Sequence, residues 1–252
     1  MSSVYQDERL AHSYESGNEM PESALRAWVE LFASHSDRPS PAVLEVGAGT
    51  GMFAAGMARW IEGASVLAVD PSEPMLAEAR RHNPHPAVRY LPGSAEAVPA
   101  PDGSFDLVLL SRVIHHVPDR PAAARELARV LRPGGVAVVR TTVRERLDAV
   151  VYDYWPEVRE SDAGRFPRED DLVADFTAGG LDPYRTTSFA QPVARSLREY
   201  HARMATRPQS KFAHLTPERF QEGLERLARA AESGPSDEPV LERYDVLSFI
   251  RR

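Results

Sequence analysis

Cysteine is absent from the 252 residues, so the chain has no disulfide framework, no thiol nucleophile and no cysteine-ligated metal; no metal site of any kind is expected. Lysine is nearly absent, with Lys211 standing alone in an arginine-rich chain. No run of basic residues accompanies the formal charge of −7, which argues against a nucleic-acid partner. No apolar segment is long enough to cross a bilayer, and the polar, acidic first eight residues do not read as a signal peptide. A cytoplasmic protein without a membrane partner is therefore expected. Internal repeats, low-complexity tracts and linkers are also missing, so residues 1–252 read as a single domain with ample length for a full core.

The most informative stretch runs from Ala42 to Asp70. Ala42, Val43, Leu44 and Val46 form an apolar run of the kind buried in parallel sheets. Gly47, Gly49 and Gly51 follow at every second position, a turn in which no Cβ keeps a ligand from the backbone. A helix over Met52 to Trp60 comes next, then a second apolar run, Val66 to Val69, ending at Asp70. An acid at the end of the second strand, about 20 residues past the glycine turn, is placed to accept hydrogen bonds from ribose hydroxyls. The stretch predicts a nucleoside-shaped crevice at the carboxyl ends of parallel strands.

Two cofactor classes use such a crevice. Dinucleotide folds carry G-x-G-x-x-G with a helix start facing a pyrophosphate. Here the pattern is E-x-G-x-G-x-G from Glu45 to Gly51, and no Lys or Arg lies between Gly47 and Arg59 to meet a phosphate. This form resembles the first motif of class I S-adenosylmethionine-dependent methyltransferases, whose ligand has no phosphate.

The chain beyond Asp70 alternates strands and helices. Ser72 and Pro74 open a helix through Met75, Leu76 and Ala79, and Val88 to Leu91 is a third strand. Phe105 to Leu110 is a fourth, a helix runs from Pro121 to Leu131, and the Pro133-Gly134-Gly135 turn launches a fifth strand from Val136 to Thr141. This alternation predicts a doubly wound α/β sheet. Gly93-Ser94-Ala95-Glu96 followed by Pro101-Asp102-Gly103-Ser104-Phe105-Asp106, then Val113-Ile114-His115-His116-Val117 and Arg129-Val130-Leu131-Arg132-Pro133-Gly134-Gly135, are similar to further signatures of small-molecule methyltransferases of the ubiquinone/menaquinone-biosynthesis type. The resemblance covers roughly residues 40–142.

It implies a Rossmann-like sheet of seven strands, the last antiparallel, with a final hairpin after residue 180. It also implies S-adenosylmethionine as cofactor and S-adenosylhomocysteine as product. Gly47, Ala48, Gly49 and Gly51 would lie along the methionine portion, with Glu45 toward its ammonium. Asp70 would accept from the ribose, and Pro71 or Met75 would lie against the adenine. Ser94 stands where the family has Asp, a neutral and weaker acceptor for the adenine amino group, beside Ala95 and Glu96. Ser111 would face the sulfonium through its backbone. His116 is the candidate catalytic group, orienting or deprotonating a substrate, with His115 as its neighbour in the crevice wall.

Outside 40–142 the reading is of accessory elements. Residues 1–35 are expected to form an N-terminal helical arm; Leu25, Trp28, Val29 and Phe32 supply its apolar face, and Tyr5, His12 and Tyr14 precede it as a lid over the cofactor. Residues 144–165 and 191–235 are expected to form a helical cap that selects substrate. The candidate substrate contacts are Tyr154, Trp155, Tyr200 and Arg203 of this cap, near Arg207 and Lys211, together with Tyr5, Tyr14 and His115. Val240 to Ile250 would close the sheet. The expected activity is methyl transfer to an O, N or C atom of a small molecule, in natural-product biosynthesis, by a monomer or homodimer. A non-methylating S-adenosylmethionine-binding protein and a nicotinamide-dependent oxidoreductase are the rival readings.

Overall fold

The computed structural model describes residues 20–206, 212, 214–234 and 238–252. Seven strands form one sheet: β1 (Ala42–Val46), β2 (Ser65–Asp70), β3 (Val88–Pro92), β4 (Phe105–Ser111), β5 (Leu131–Thr141), β6 (Asp182–Ala194) and β7 (Val240–Ile250). Their order is β3-β2-β1-β4-β5-β7-β6. The first five are parallel, and β7 runs antiparallel to both β5 and β6. The expected seven-stranded sheet with its antiparallel last strand is what the chain forms. The strand order reverses between β1 and β4, which opens a crevice at their carboxyl ends.

Alternation along the central strands explains the two layers. Val43, Leu107, Leu109, Val136 and Val138 point to one face, under α1 (Glu22–Ala33), α2 (Met52–Trp60) and α3 (Glu73–His82). Leu44, Val46, Val108, Leu110, Ala137 and Val139 point to the other, under α4 (Arg120–Val130) and α7 (Glu169–Ala178). Because both faces are covered, these strands are apolar throughout. The Trp28 and Phe32 side chains of α1 are fully buried against the sheet, and Trp28 Nε1 donates to Gln191 Oε1 on β6. This helix is therefore a layer of the core.

A third apolar cluster lies apart from these layers. It joins α5 (Val151–Tyr154) and α6 (Pro156–Arg165) to α8 (Leu197–Ala205) and α9 (Pro217–Ser233), around Val151, Trp155, Tyr200, Phe220 and Leu227. Helix starts obey the sequence: Ser72, Asp119, Ser196 and Thr216 each accept a backbone N–H three residues on. One boundary differs. β5 begins at Leu131 rather than Val136, because the expected Pro-Gly-Gly turn is itself paired with the chain end, Gly134 N–H donating to Arg251 O and Arg251 N–H to Gly135 O.

Candidate functional site

The glycine turn after β1 sits at the sheet's reversal point and is tied down from two sides. Gly47 and Ala48 donate their N–H groups to Val69 O at 2.8 and 3.0 Å. Gly49 N–H donates to Asp70 Oδ2 at 2.9 Å, while Ser72 N–H donates to Asp70 Oδ1 at 2.8 Å. Gly47, Gly49 and Gly51 all have positive φ, at +69°, +54° and +81°, which only glycine adopts at little cost. A side chain at Gly51 would also collide with the Tyr90 hydroxyl at 2.5 Å. The turn's shape is thus set by backbone conformation, by Asp70 and by the wall around it.

Two acids here carry burial strain. Glu45, buried at the end of β1, has its carboxyl pushed from the ordinary 4.5 up to about 8 by burial, eased by the Ala54 N–H and raised further by Asp70. Its Oε2 is buried without a hydrogen-bond partner. Asp70 is also raised by burial, against the Ser72 and Gly49 N–H groups that favour its charge. Such an orphaned buried carboxyl next to an open glycine turn suits a cationic partner.

A small crevice adjoins the turn. Gly47, Pro71, Ser94, Ala95 and Glu96, all expected at the site, line it together. Glu96 Oε1 is buried and unpartnered, so a second polar group is left for a ligand there. Val46, Val113, Val117 and Pro118 complete the wall and were not singled out from the sequence. Their signal was available, since Val113 and Val117 flank the His115-His116 pair. Met75 is buried in α3 beside Ser72, whose hydroxyl accepts its N–H.

The end of β4 carries further chemistry. Arg112 adopts φ +58°, the sole non-glycine residue with positive φ among the described residues, and its N–H donates to Arg140 O. Strain of this kind is commonly held at functional sites. Ser111 Oγ accepts from Arg140, whose buried guanidinium lies 4.5 Å from the Trp28 ring and 4.0 Å from the Tyr244 ring. His115 and His116 follow in a short 3₁₀ turn (Ile114–His116) with ring centroids 4.1 Å apart. Burial, then the Arg165 and Arg112 charges, push His116 down to about 4. His115 is lowered further, by burial, His116, Arg165 and Arg112. Both rings are neutral at pH 7.

Of the expected substrate residues, Tyr154, Trp155 and Tyr200 gather at the third cluster, whereas His115 lies in the turn after β4. Trp155 is fully buried within the third cluster, its Nε1 donating to Phe220 O at 3.0 Å. Tyr154 packs beside it with its ring edge-on at 6.3 Å. Tyr200 is buried with an unpartnered hydroxyl, in the electrostatic reach of Glu242 and Tyr244 on β7. Arg203 donates to Val193 O. Tyr5, His12, Tyr14, Arg207 and Lys211, and with them the proposed lid, lie outside the described residues.

Comparison with known proteins agrees with this geometry. Residues 44–139 match the family model described as a methyltransferase domain. A malonyl-[acyl-carrier protein] O-methyltransferase of Serratia marcescens is 35% identical over 60% of this chain and 56% of that protein. A demethylmenaquinone methyltransferase of Chlorobaculum tepidum is 36% identical over 51% of this chain and 53% of its own length. The chain thus spans about half the length of these relatives. In fold it resembles a solved structure from Anabaena variabilis, described as a methyltransferase from an antibiotic biosynthesis pathway, with a TM-score of 0.72, 24% identity and coverage of 88% and 96% of the two chains. These matches and the seven-stranded sheet support a class I S-adenosylmethionine-dependent methyltransferase, with residues 44–139 as its methyltransferase domain.

Proposed function

We propose that the protein transfers a methyl group from S-adenosylmethionine to an O, N or C atom of a small molecule, in a biosynthetic pathway for a natural product. The observation that carries this reading is the open glycine turn beside the buried, unpartnered Glu45 Oε2. The relatives support it, two being named for methylation of small biosynthetic intermediates or of a carrier-bound acid.

When bound, the cofactor supplies a methyl carbon already activated by its sulfonium. The residues present fit it. Glu45 would hold the ammonium, Gly47, Ala48, Gly49 and Gly51 would lie along the methionine, and Asp70 would meet the ribose. Pro71, Met75, Ser94, Ala95 and Glu96 would surround the base, with Ser111 near the reacting end. The protein's task is then to align the acceptor atom and exclude water, for which a strong base is optional. His116, neutral and weakly basic, would orient the acceptor side of the crevice.

Titration calorimetry with S-adenosylhomocysteine, with NADH as comparison, tests the cofactor. Binding of the first alone supports the reading, and preference for NADH overturns it. Product analysis with a methyl-labelled donor then separates methyl transfer from a reaction that merely uses the bound cofactor.

A further inference from the structure

Half-buried arginines of this protein divide in two: some meet carboxylates, whereas Arg203, Arg226 and Arg251 donate to backbone carbonyls. Arg120 pairs with Asp175, Arg132 with Asp106, and Arg146 with both Asp245 and Glu169. Arg165, at the last position of α6, does neither. Its partner among the described residues is the imidazole of His116, with Nη2 and Nε2 2.9 Å apart. No described carboxylate lies within ion-pair distance of this guanidinium.

The chemistry of that contact is determined. Arginine keeps its charge and has no acceptor, so Arg165 donates and His116 Nε2 supplies the lone pair. The His116 proton then resides on Nδ1, and the ring is neutral. Burial and the neighbouring Arg165 and Arg112 charges hold it so, with His116 lowered to about 4. A guanidinium has five N–H donors in a planar fork, and the imidazole takes one. The remaining donors match a carboxylate, which accepts two parallel bonds. In the chain His116 lies between Val113 and Val117, which line the crevice with Gly47 and Pro71, so its contact with Arg165 adjoins that wall without being part of the lining.

We propose that Arg165 anchors a carboxylate of the acceptor substrate, with His116 as the positioning residue that holds the guanidinium beside the crevice. This rests on the methyl-transfer reading above and narrows its substrate class to carboxylic acids. It also gives His116 a role that needs no proton transfer. His115, stacked edge-on to Phe166 at 4.8 Å, would brace the pair from behind.

The test uses the full chain saturated with S-adenosylhomocysteine. Small carboxylic acids, each paired with its primary amide and with a phosphate monoester of similar size, are titrated while the Nε–Hε resonance of Arg165 is followed by NMR. Acids are expected to shift that resonance saturably and to bind at least ~10-fold tighter than the amides, a preference lost in Arg165→Gln and only partly kept in Arg165→Lys, whose ammonium lacks the fork. His116→Phe should weaken the acids while leaving S-adenosylhomocysteine affinity intact. Equal binding of acids and amides, or an acid preference that survives Arg165→Gln, overturns the proposal. Should Arg165→Gln fail to fold, full acid preference in Arg165→Lys overturns it instead. Tighter binding of the phosphate monoesters than of the acids also overturns the carboxylate assignment. Failure of S-adenosylhomocysteine to bind the wild type would count against methyl transfer, and the acid-over-amide preference at Arg165 would still be read separately.

Discussion

The Cβ that Gly47 lacks would lie 2.3 Å from Val113 Cγ2 and 2.9 Å from its Cγ1. These two residues come from the ends of adjacent parallel strands, β1 and β4, and their approach closes one wall of the crevice. Gly47→Ala therefore meets two penalties at once, a positive φ and a side-chain collision. The positive φ alone costs about 1 kcal/mol. Gly47→Ala is expected to lower the melting temperature and to weaken S-adenosylhomocysteine by at least ~10-fold, since the backbone must shift where the ligand lies. Adding Val113→Ala should recover stability more than affinity. Wild-type affinity in Gly47→Ala would show that the turn does not contact the cofactor.

Glu45 makes stability depend on pH in an unusual direction. Its folded value, about 8, lies above the ordinary 4.5, so the native state holds a proton that the unfolded chain gives up. The contribution is intact below pH 4.5, declines as pH rises toward 8, and is flat beyond. Glu45→Gln removes the slope, and the difference in unfolding free energy between variant and wild type should grow in the variant's favour by a few kcal/mol from pH 5 to 8. Denaturant melts of both proteins across that range measure it. A pH-independent difference would mean that Glu45 is ionised throughout.

The same proton predicts a linkage with the cofactor. Pairing with an ammonium requires the carboxylate, so S-adenosylhomocysteine affinity should climb from pH 6.5 to about 8, by up to ~10-fold per unit. In Glu45→Gln the profile should be flat and the affinity lower. Calorimetry in buffers of different ionisation heat would also register proton release on binding. No release from the wild type contradicts an ammonium partner for Glu45.

Asp70 holds the turn through the Gly49 and Ser72 N–H groups. An amide has one acceptor oxygen where the carboxylate has two, so Asp70→Asn leaves one of those donors facing N–H₂, a cost of about 1–3 kcal/mol. Part of any loss in affinity would come from this disordering. A cycle combining Asp70→Asn with 2′-deoxy-S-adenosylhomocysteine separates the effects. If Asp70 accepts from the ribose, the two changes are non-additive, and full additivity removes that contact.

Gly223 and Trp155 define the third cluster. A Cβ at Gly223 would fall 2.1 Å from Trp155 Nε1, which already donates to Phe220 O. Gly223→Ala must displace the indole and break that bond, at an expected cost of about 1–3 kcal/mol in stability with S-adenosylhomocysteine affinity nearly unchanged. Tryptophan fluorescence and thermal unfolding report the first effect and calorimetry the second. A variant as stable as wild type would mean that α9 can slide without cost.

Much of this molecule was readable before any coordinates. β1 and α2 form over the residues expected, and β7 joins the sheet where β-branched and aromatic residues gather after Pro239. Five expected cofactor residues line one crevice. These features are local: apolar runs, caps and three glycines act through neighbours in sequence. The start of β5 was misplaced because its turn is paired with Arg251, a partner that no local pattern announces.

What the sequence by itself determined is the alternation of strands and helices, the glycine turn that only glycine can make, and the acid that ends β2. The tertiary structure decided the rest. It buried Trp155 among helices from separate segments, left Glu45 Oε2 without a partner, and brought Arg165 to His116 across 49 residues of chain. Charge state and function follow from burial and partners. Those are set by which distant segments the fold packs together, and neither composition nor spacing encodes that packing in a form that can be read along the chain.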